Sequence, residues 1–502
     1  MQLRDLAALI PNAIVRGNAD IEITGISNHS RRLSPGELFV CISGIPGYQE
    51  DRHPYAGDAV HAGAVAIVAE HDIEVDVPVV LVKDSRHALA VLSAHFYGYP
   101  SRELTLIGVT GTNGKTTTAH MIDAILRYAG SKTGLMGNIG TKIGDTLFET
   151  DINTQEPPVL QANLRRMVDE GCSIAVMEVT SQGLDAGRVL GCEFRSAVFT
   201  NITQDHLDYH GTMERYIAAK GLFFSRLGNG FSDDPAKRKF AVLNEDDDAS
   251  SVLRKLTAAN VLTYGIREEA DVRAEAIQLT PLGTSFRVVT YKGTAEMQVG
   301  MVGMFNVYNA LAAITAALVE GLTLETIRGG LASFPGVPGR MEVVNEGQPF
   351  LVLVDYAHTP DGLDNLLRAV QGVARQRVIT VFGCGGDRDR TKRPIMGRIA
   401  AEYSDYVVVT SDNPRSENPE QILTDIEAGL REKHDSGDSY ELTADRAEAI
   451  TRAIAMANPG DVVVIAGKGH ETYQITSVGT IKFDDREVAR DKIRERRGGT
   501  PS

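Results

Sequence analysis

Between residues 1 and 100 the apolar positions come in short runs, LFVCIS, AVAIVAE and VPVVLV, broken by polar turns such as HSRRLSPGE. Runs of this length between turn residues predict the strands of a small α/β domain. FYGYPSRE (96–103) punctuates its end. A second zone, 101–336, opens on LTLIGV, continues through a glycine-rich loop and enters TTTAHMIDAILRYAG. In that last stretch Met121, Ile122, Ile125 and Leu126 share one helical face, and Gly130 stands where a helix should stop. SIAVMEV, SAVFTNI and TSFRVVTY predict further strands, and the Pro/Gly cluster FPGVPGR (334–340) predicts the next boundary. From 337 to 502 the runs FLVLVD, VITVFG, YVVVTSD and DVVVIAGKG alternate with helical stretches such as PDGLDNLLRAV. Continuous Val/Ile runs separated by helices predict a parallel sheet covered on both faces. The terminal RERRGGTPS predicts a frayed tail. The expected fold class is α/β, in three domains of 1–100, 101–336 and 337–502.

Composition narrows the function without naming it. A chain of 502 residues exceeds one core and suits roughly three domains of about 100–200 residues. Its 51 basic and 66 acidic residues leave a net charge of −15. That balance opposes non-specific nucleic-acid binding, which needs a basic surface, but leaves room for a local phosphate site. The four cysteines, Cys41, Cys172, Cys192 and Cys384, show no C-x-x-C spacing, so neither a disulfide framework nor a zinc ribbon is expected. MQLRDLAALIPNAIV lacks the pattern of a signal peptide, and no run approaches the roughly 18 apolar residues of a membrane span. The expectation is a cytoplasmic multidomain enzyme or NTPase with no membrane or nucleic-acid partner.

In open parallel sheets ligands bind beyond the carboxyl ends of strands, and those positions are unusually charged here. LTLIGV is followed by VTGTNGKTTT (109–118). Its free backbone N–H groups and the helix that follows suit an anion. Lys115 adds a charge for the outer phosphates, and Thr116 a hydroxyl for Mg²⁺. The loop departs from G-x-x-x-x-G-K-[ST], since Val109 occupies the first glycine position and only GTNGKTT matches. SIAVM ends on Glu178, which is either a Mg²⁺ ligand or a solvated strand-end carboxylate. His206 and His210 in TQDHLDYH are either metal ligands or structural. Lys220 in RYIAAKGLFF either snorkels to the surface or is buried, in which case a cation beside Mg²⁺ needs neutralising or modifying. GGDRDRTKRP and SDNPRSENP place arginines at two strand ends, a pattern suited to gripping carboxylates.

GTNGKTTT, MEVTSQGLD, FTNITQDHLDYHGTMERYIAAKG, GRMEVV, VDYAHTPDGL, FGCGGDRDRTKRP, DNPR and AGKGHETYQ follow one another in this order. Together they resemble the Mur ligase family, which builds the peptide of bacterial peptidoglycan. The resemblance runs from about residue 20 to the last strand. It implies an N-terminal uridine-nucleotide-binding domain, a central P-loop-type ATPase with a mostly parallel sheet, and a C-terminal Rossmann-like amino-acid-binding domain. The implied reaction adds meso-diaminopimelate to UDP-N-acetylmuramoyl-L-alanyl-D-glutamate: ATP phosphorylates a D-glutamyl carboxylate, and an amine of diaminopimelate attacks the acyl phosphate. Use of L-lysine, or a folylpolyglutamate-synthetase-like ligase, are the alternatives.

The resemblance also implies a site, residue by residue. Catalysis falls to Lys115, Glu178, His206 and Lys220. Two Mg²⁺ ions are implied, one held by Thr116 and Glu178, the other near His206 and Lys220, the latter as a CO₂-derived carbamate. ATP contacts are Gly111, Thr112, Asn113, Gly114, Lys115, Thr116, Thr117, Asn306, Asn309, Arg340 and Asp355. The nucleotide-peptide contacts are Asn28, Ser30, Asn153, Thr154, Thr180 and Arg188. For diaminopimelate they are Arg388, Asp412, Asn413, Pro414, Arg415, Gly467 and Glu471. Arg415 and Arg388 are expected to hold its distal carboxylate, and Glu471 its ammonium. Departures from the family pattern occur at Asn153, Thr180, Gln182, Ala186 and SGIPGYQEDRH. The partners implied are these small molecules alone, acting on a single copy of the chain.

Overall fold

The structure, a computed structural model, describes residues 1–150, 152–229, 233–280, 283–433 and 439–498. Among these residues the strands form four sheets, and every apolar run singled out above lies in one of the first three. The first sheet joins Ile14–Arg16, Gly25–Ser27, Glu37–Val40, Ala66–Ala69 and Val79–Leu81, with all but the first strand parallel. Its faces bury separate clusters, one around Leu6, Leu38 and Leu89, the other around Phe39, Ala59 and Ile67. Adjacent Leu38 and Phe39 point to opposite faces, as the period of a strand requires.

At the centre of the second sheet, Thr105–Thr110 lies between Ile174–Glu178 and Ser196–Phe199 and runs parallel to both. Parallel pairing continues through Thr133–Gly137 on one side and through Phe240–Asn244 and Asn260–Gly265 on the other. Antiparallel ribbons end both edges, the larger built from Val272–Thr280, Gly283–Thr290 and Gly293–Val299. Sequence reading recognised only the middle strand of that ribbon. Its neighbours alternate buried with solvent-facing polar residues, which dilutes the apolar run that marks a strand. The helix Lys115–Tyr128 buries Met121, Ile122, Ile125 and Leu126. Gly130 follows its end at φ 89°, the left-handed turn that glycine accommodates best.

The third sheet runs Leu351–Asp355, Val462–Ala466, Val378–Phe382, Tyr406–Val409, Tyr440–Leu442 in parallel, with Glu342–Val343 antiparallel at its edge. Leu363, Leu366, Leu367 and Val370 of the helix Pro360–Gln371 cover one face, and Ile450, Ile454 and Ile493 the other. One apolar cluster extends from Ile107 and Ile125 through Met301, Phe334 and Met341 to Leu353 and Leu366. The second and third sheets therefore share a core. No helix among the described residues is long and apolar enough to cross a membrane.

Two elements depart from the sequence expectation. Tyr473–Thr476 and Gly479–Lys482 form a separate hairpin that the reading did not single out. RERRGGTPS is not wholly a tail, because the helix Asp485–Arg496 extends into it. Ala489 and Ile493 anchor that helix. Arg494 bonds Glu346 at 3.0 Å, and Arg496 donates to the carbonyl of Ile454. Residues 499–502 lie outside the described residues.

Arg446 and Asp485 form a fully buried ion pair with two bonds of 2.7 Å, and Arg446 also donates to the carbonyls of Ser411 and Ala466. Arg446→Met should lower the unfolding free energy by about 3 kcal/mol, because it strands a buried carboxylate. Arg446→Met/Asp485→Leu should recover much of that loss. Urea denaturation of the three proteins checks the order.

Candidate active site

Strand register brings the phosphate loop and the acid together. Glu178 pairs with Val109 and Phe199 with Thr110, so Glu178, the loop and Thr200–Asn201 share the carboxyl edge of the second sheet. The loop is held by its neighbours: Asn113 N donates to Asn201 Oδ1 (2.9 Å), Thr200 Oγ1 to Asn113 O (2.6 Å) and Thr203 N to Thr112 Oγ1 (3.0 Å). Gly111 (φ 150°) and Gly114 (φ 83°) permit the turn. A Cβ on Gly111 would stand 1.9 Å from Thr200 Oγ1, and one on Gly114 2.3 Å from Asn309 Oδ1. Gly111→Ala should therefore weaken folding by about 1–3 kcal/mol and raise KM for ATP. Thermal unfolding with steady-state kinetics tests both effects.

A cavity of about 530 Å³ opens over this edge. Of the predicted residues, Thr112–Thr117, Asn153, Thr154, Glu178, Thr180, Arg188, His206, Asn309, Arg340 and Asp355 line it. Thr154 Oγ1 donates to Glu178 O (3.1 Å) and accepts from Thr180 N (2.9 Å), while Arg188 Nη1 donates to Thr154 O (3.2 Å). Asn306 stands behind the wall and orients Asn309, accepting from its amide at 3.0 Å. Asn28 and Ser30 also lie off the cavity. Asn28 reaches it only through Glu156, which it bonds at 3.4 Å and which bonds Arg188 at 2.8 Å.

Charge is concentrated and poorly solvated in the cavity, at Lys115, Asp205 and His206, and just behind it, at Lys220. Lys115 donates to Gly111 O (3.0 Å) and Thr112 O (2.8 Å). Burial pulls its amine below the ordinary range, and Glu178 and Asp205 oppose that shift. Lys220 does not snorkel: it is 1% exposed, donates to Gly111 O at 2.8 Å and lies over the Tyr216 ring. Burial, then repulsion from Lys115, drives its amine well below the ordinary lysine value. Burial lowers His206 to about 4 against the pull of Asp205.

Glu178 is buried, accepting from Asn138 N (2.9 Å) and Asn153 Nδ2 (3.1 Å). Its carboxylate and the Thr116 hydroxyl are hard oxygen donors, which fit a Mg²⁺ that retains water and phosphate ligands. Among the described residues no cluster of three or more His, Cys, Asp or Glu forms a metal centre of another kind. An unmodified Lys220 supplies no oxygen and fits no Mg²⁺, whereas its carbamate would.

The third sheet borders the same cavity through Asp355, Tyr356, Ala357 and His358, while the predicted diaminopimelate residues lie off its lining, in a second cluster at the carboxyl edge of that sheet. Asn413 Nδ2 (2.9 Å) and Lys468 Nζ (2.8 Å) donate to Glu471 Oε2, and Tyr356 OH to Oε1 (3.3 Å). Asp412 Oδ2 is buried without a hydrogen-bond partner, beside Gly467. Arg388 and Arg415 flank Gly385, and Pro414 abuts Gly386. The two edges touch directly: Asn113 Nδ2 donates to Asp361 Oδ2 (2.6 Å), Asn138 meets His470 (3.4 Å), and Arg340 Nη2 donates to Thr116 Oγ1 (3.4 Å). Tyr356 bridges the clusters, stacking under Arg340 while bonded to Glu471. Sequence reasoning passed over Asn201, Asp205, Tyr356 and Asp361. All four lie inside the motifs given above, and Asp361 there reads as an ordinary first-turn acid of a helix.

The Mur ligase middle domain pattern matches residues 109–317, and the Mur ligase glutamate ligase domain matches 339–469. A protein of Geobacillus thermodenitrificans (strain NG80-2) named UDP-N-acetylmuramoyl-L-alanyl-D-glutamate--2,6-diaminopimelate ligase is 52% identical over 498 residues, covering 99% of this chain and 100% of its own. The protein of the same name from Geobacillus kaustophilus (strain HTA426) is 51% identical over 496 residues, covering 99% and 100%. A solved structure of a ligase of that name, 32% identical, superposes with a TM-score of 0.68 over the whole of both chains.

Proposed function

The chain belongs to the Mur ligase family, and we propose that it is the ATP-dependent, ADP-forming ligase that joins meso-diaminopimelate to UDP-N-acetylmuramoyl-L-alanyl-D-glutamate. The reaction belongs to cytoplasmic peptidoglycan precursor synthesis. The observation that carries this reading is the single cavity in which the phosphate loop meets Thr154, Thr180 and Arg188 while the Glu471 cluster abuts it through Tyr356. A phosphoryl donor and a carboxylate then share the cavity, and an amine held at the adjoining cluster enters it beside Tyr356. Residues 1–100 take the uridine nucleotide, 101–336 the ATP and 337–502 the amino acid, in one copy of the chain.

A carboxylate is a poor electrophile, and phosphorylation converts one of its oxygens into a leaving group. The carboxylate oxygen attacks the γ-phosphorus, and ADP departs. The amine then attacks the acyl carbon, losing a proton as phosphate leaves and the amide forms. Lys115 and the loop N–H groups hold the transferring phosphoryl group. Thr116 and Glu178 would hold one Mg²⁺, and His206 with Lys220 as its carbamate would flank a second. Bound there, the ions offset the charge of the phosphates. Arg188 and Thr180 orient the nucleotide-peptide, and Asn309, Arg340 and Asp355 the ATP. Arg388 and Arg415 grip the distal carboxylate of diaminopimelate, and Glu471 its ammonium, beside Asp412, Asn413, Pro414 and Gly467. Enclosure by both sheets protects the acyl phosphate from water.

The test is phosphate release from Mg-ATP with the nucleotide-dipeptide, run with meso-diaminopimelate, with L-lysine and without an amino acid. Release with diaminopimelate alone, and one new amide by mass, is expected. Turnover with lysine instead would overturn the amino-acid assignment, and equal release in all three would overturn the ligase.

A further inference from the structure

Backbone and side-chain hydrogen bonds fasten the two arginine-bearing loops of the third sheet to each other. Gly386 N donates to Asn413 O at 2.9 Å, and Arg415 Nη1 donates to Gly386 O at 2.8 Å. Ser416 donates to the Asp387 carboxylate from its backbone N (3.1 Å) and its hydroxyl (2.8 and 2.9 Å). In return Asp387 N donates to Glu417 Oε1 at 2.6 Å. The other bonds to Glu417 come from Arg390 Nη2 (2.6 Å) and from Arg393 Nη1 (3.1 Å) and Nη2 (2.9 Å). These four donors fill the roughly four acceptor sites of a carboxylate. Arg393 is fully buried and has Asp425 as a second partner at 2.8 Å.

What this clasp holds is unfavourable on its own. Asp387 and Arg415 both adopt φ 53°, a left-handed backbone that disfavours side chains larger than glycine. A Cβ on Gly385 would stand 3.0 Å from Arg415 Nη1 and 3.7 Å from Arg388 Cγ, so both side chains pass beside that glycine. Burial lowers Arg415, and the charge of Arg388 lowers it further. Two guanidinium groups close enough for one to lower the other are suited to an anion between them.

We propose that Glu417 is a positioning residue: through Asp387 and Ser416 it holds Arg388 and Arg415 at the separation that grips one carboxylate of the incoming amino acid. This rests on the reading of those arginines given above. Glu417 touches no substrate. Its carboxyl is driven down to about 2, chiefly by its bonds to Arg393, so the clasp stays charged at any working pH.

The test measures KM for diaminopimelate, ATP and the nucleotide-dipeptide in wild type, Ser416→Ala, Glu417→Gln, Arg415→Ala and Glu417→Gln/Arg415→Ala. Glu417→Gln puts an NH₂ against an arginine fork and should raise KM for diaminopimelate about 10- to 100-fold. The other two KM values should stay within about twofold and kcat within about threefold. Ser416→Ala, made at an exposed position, should shift the same KM in the same direction by a smaller factor even if Glu417→Gln fails to fold. In the Arg415→Ala background, Glu417→Gln should add little, because its effect passes through that arginine. An unchanged KM for diaminopimelate in Ser416→Ala and Glu417→Gln, with Arg415→Ala raised, would overturn the clasp alone. A uniform rise in all three KM values would do the same. No effect of Arg415→Ala would overturn the reading of the amino-acid site and the proposal with it.

Discussion

Lys220→Met should lower kcat about 10³-fold or more while leaving the protein as stable as before, or more so. The two halves of this result have one cause. Lys220 sits in the helix Met213–Arg226, 1% exposed, with its amine on the carbonyl of Gly111 and Lys115 close enough to repel it. Burying a lone cation is unfavourable, and a methionine of similar volume avoids that cost. A residue kept against its own stability is kept for chemistry. Burial shifts the amine toward its neutral form, the form that adds CO₂, and a carbamate there would bring an anion to the phosphate loop. Loss of such electrostatic support at a phosphoryl-transfer site costs about 10³-fold. Urea unfolding and single-turnover kinetics on the same preparations decide the matter. Full activity in the variant would end the catalytic assignment, and intact-protein mass with and without bicarbonate would report the carbamate separately.

Arg415→Ala should reduce kcat/KM for diaminopimelate about 10²- to 10³-fold and leave L-lysine as poor a substrate as it is for the wild type. A charged pair broken on one side in a half-buried setting is worth roughly 3–4 kcal/mol. L-lysine has no distal carboxylate, so it leaves the guanidinium without its anion whether or not it binds. Discrimination between the two amino acids should therefore collapse in the variant through loss of the better substrate. Competition between the two, scored by product mass, measures that ratio directly. Equal losses for both would mean that Arg415 shapes the loop without reading the substrate, since its left-handed backbone and its bond to Gly386 O also hold the loop together.

How far the site could be read depended on how local each signal was. Glu178 was legible because an apolar run that ends on an acid is a short-range pattern, but only the strand register places it next to Val109 and the glycine-rich loop. The role of Asn306 was less legible: its spacing from Asn309 is plain, but one amide stands behind the other and orients it. Asp361 looks like an ordinary helix-start acid, yet it accepts from Asn113 across 248 residues of chain. The Tyr473–Lys482 hairpin escaped notice because its short strands carry no continuous apolar run.

The sequence by itself determined the alternation of strands and helices, the phosphate loop and the order of motifs that identifies the family. Periodicity, caps and turn residues act within a few turns of chain, so they survive without the fold. Only the tertiary structure decided that Lys220 is buried on Gly111, 109 residues away, that the carboxyl edges of two sheets meet at one cavity, and that Glu417 fastens the arginine loops. Burial and charge depend on which distant segments pack together, and a lysine has the same letter in water as in a core.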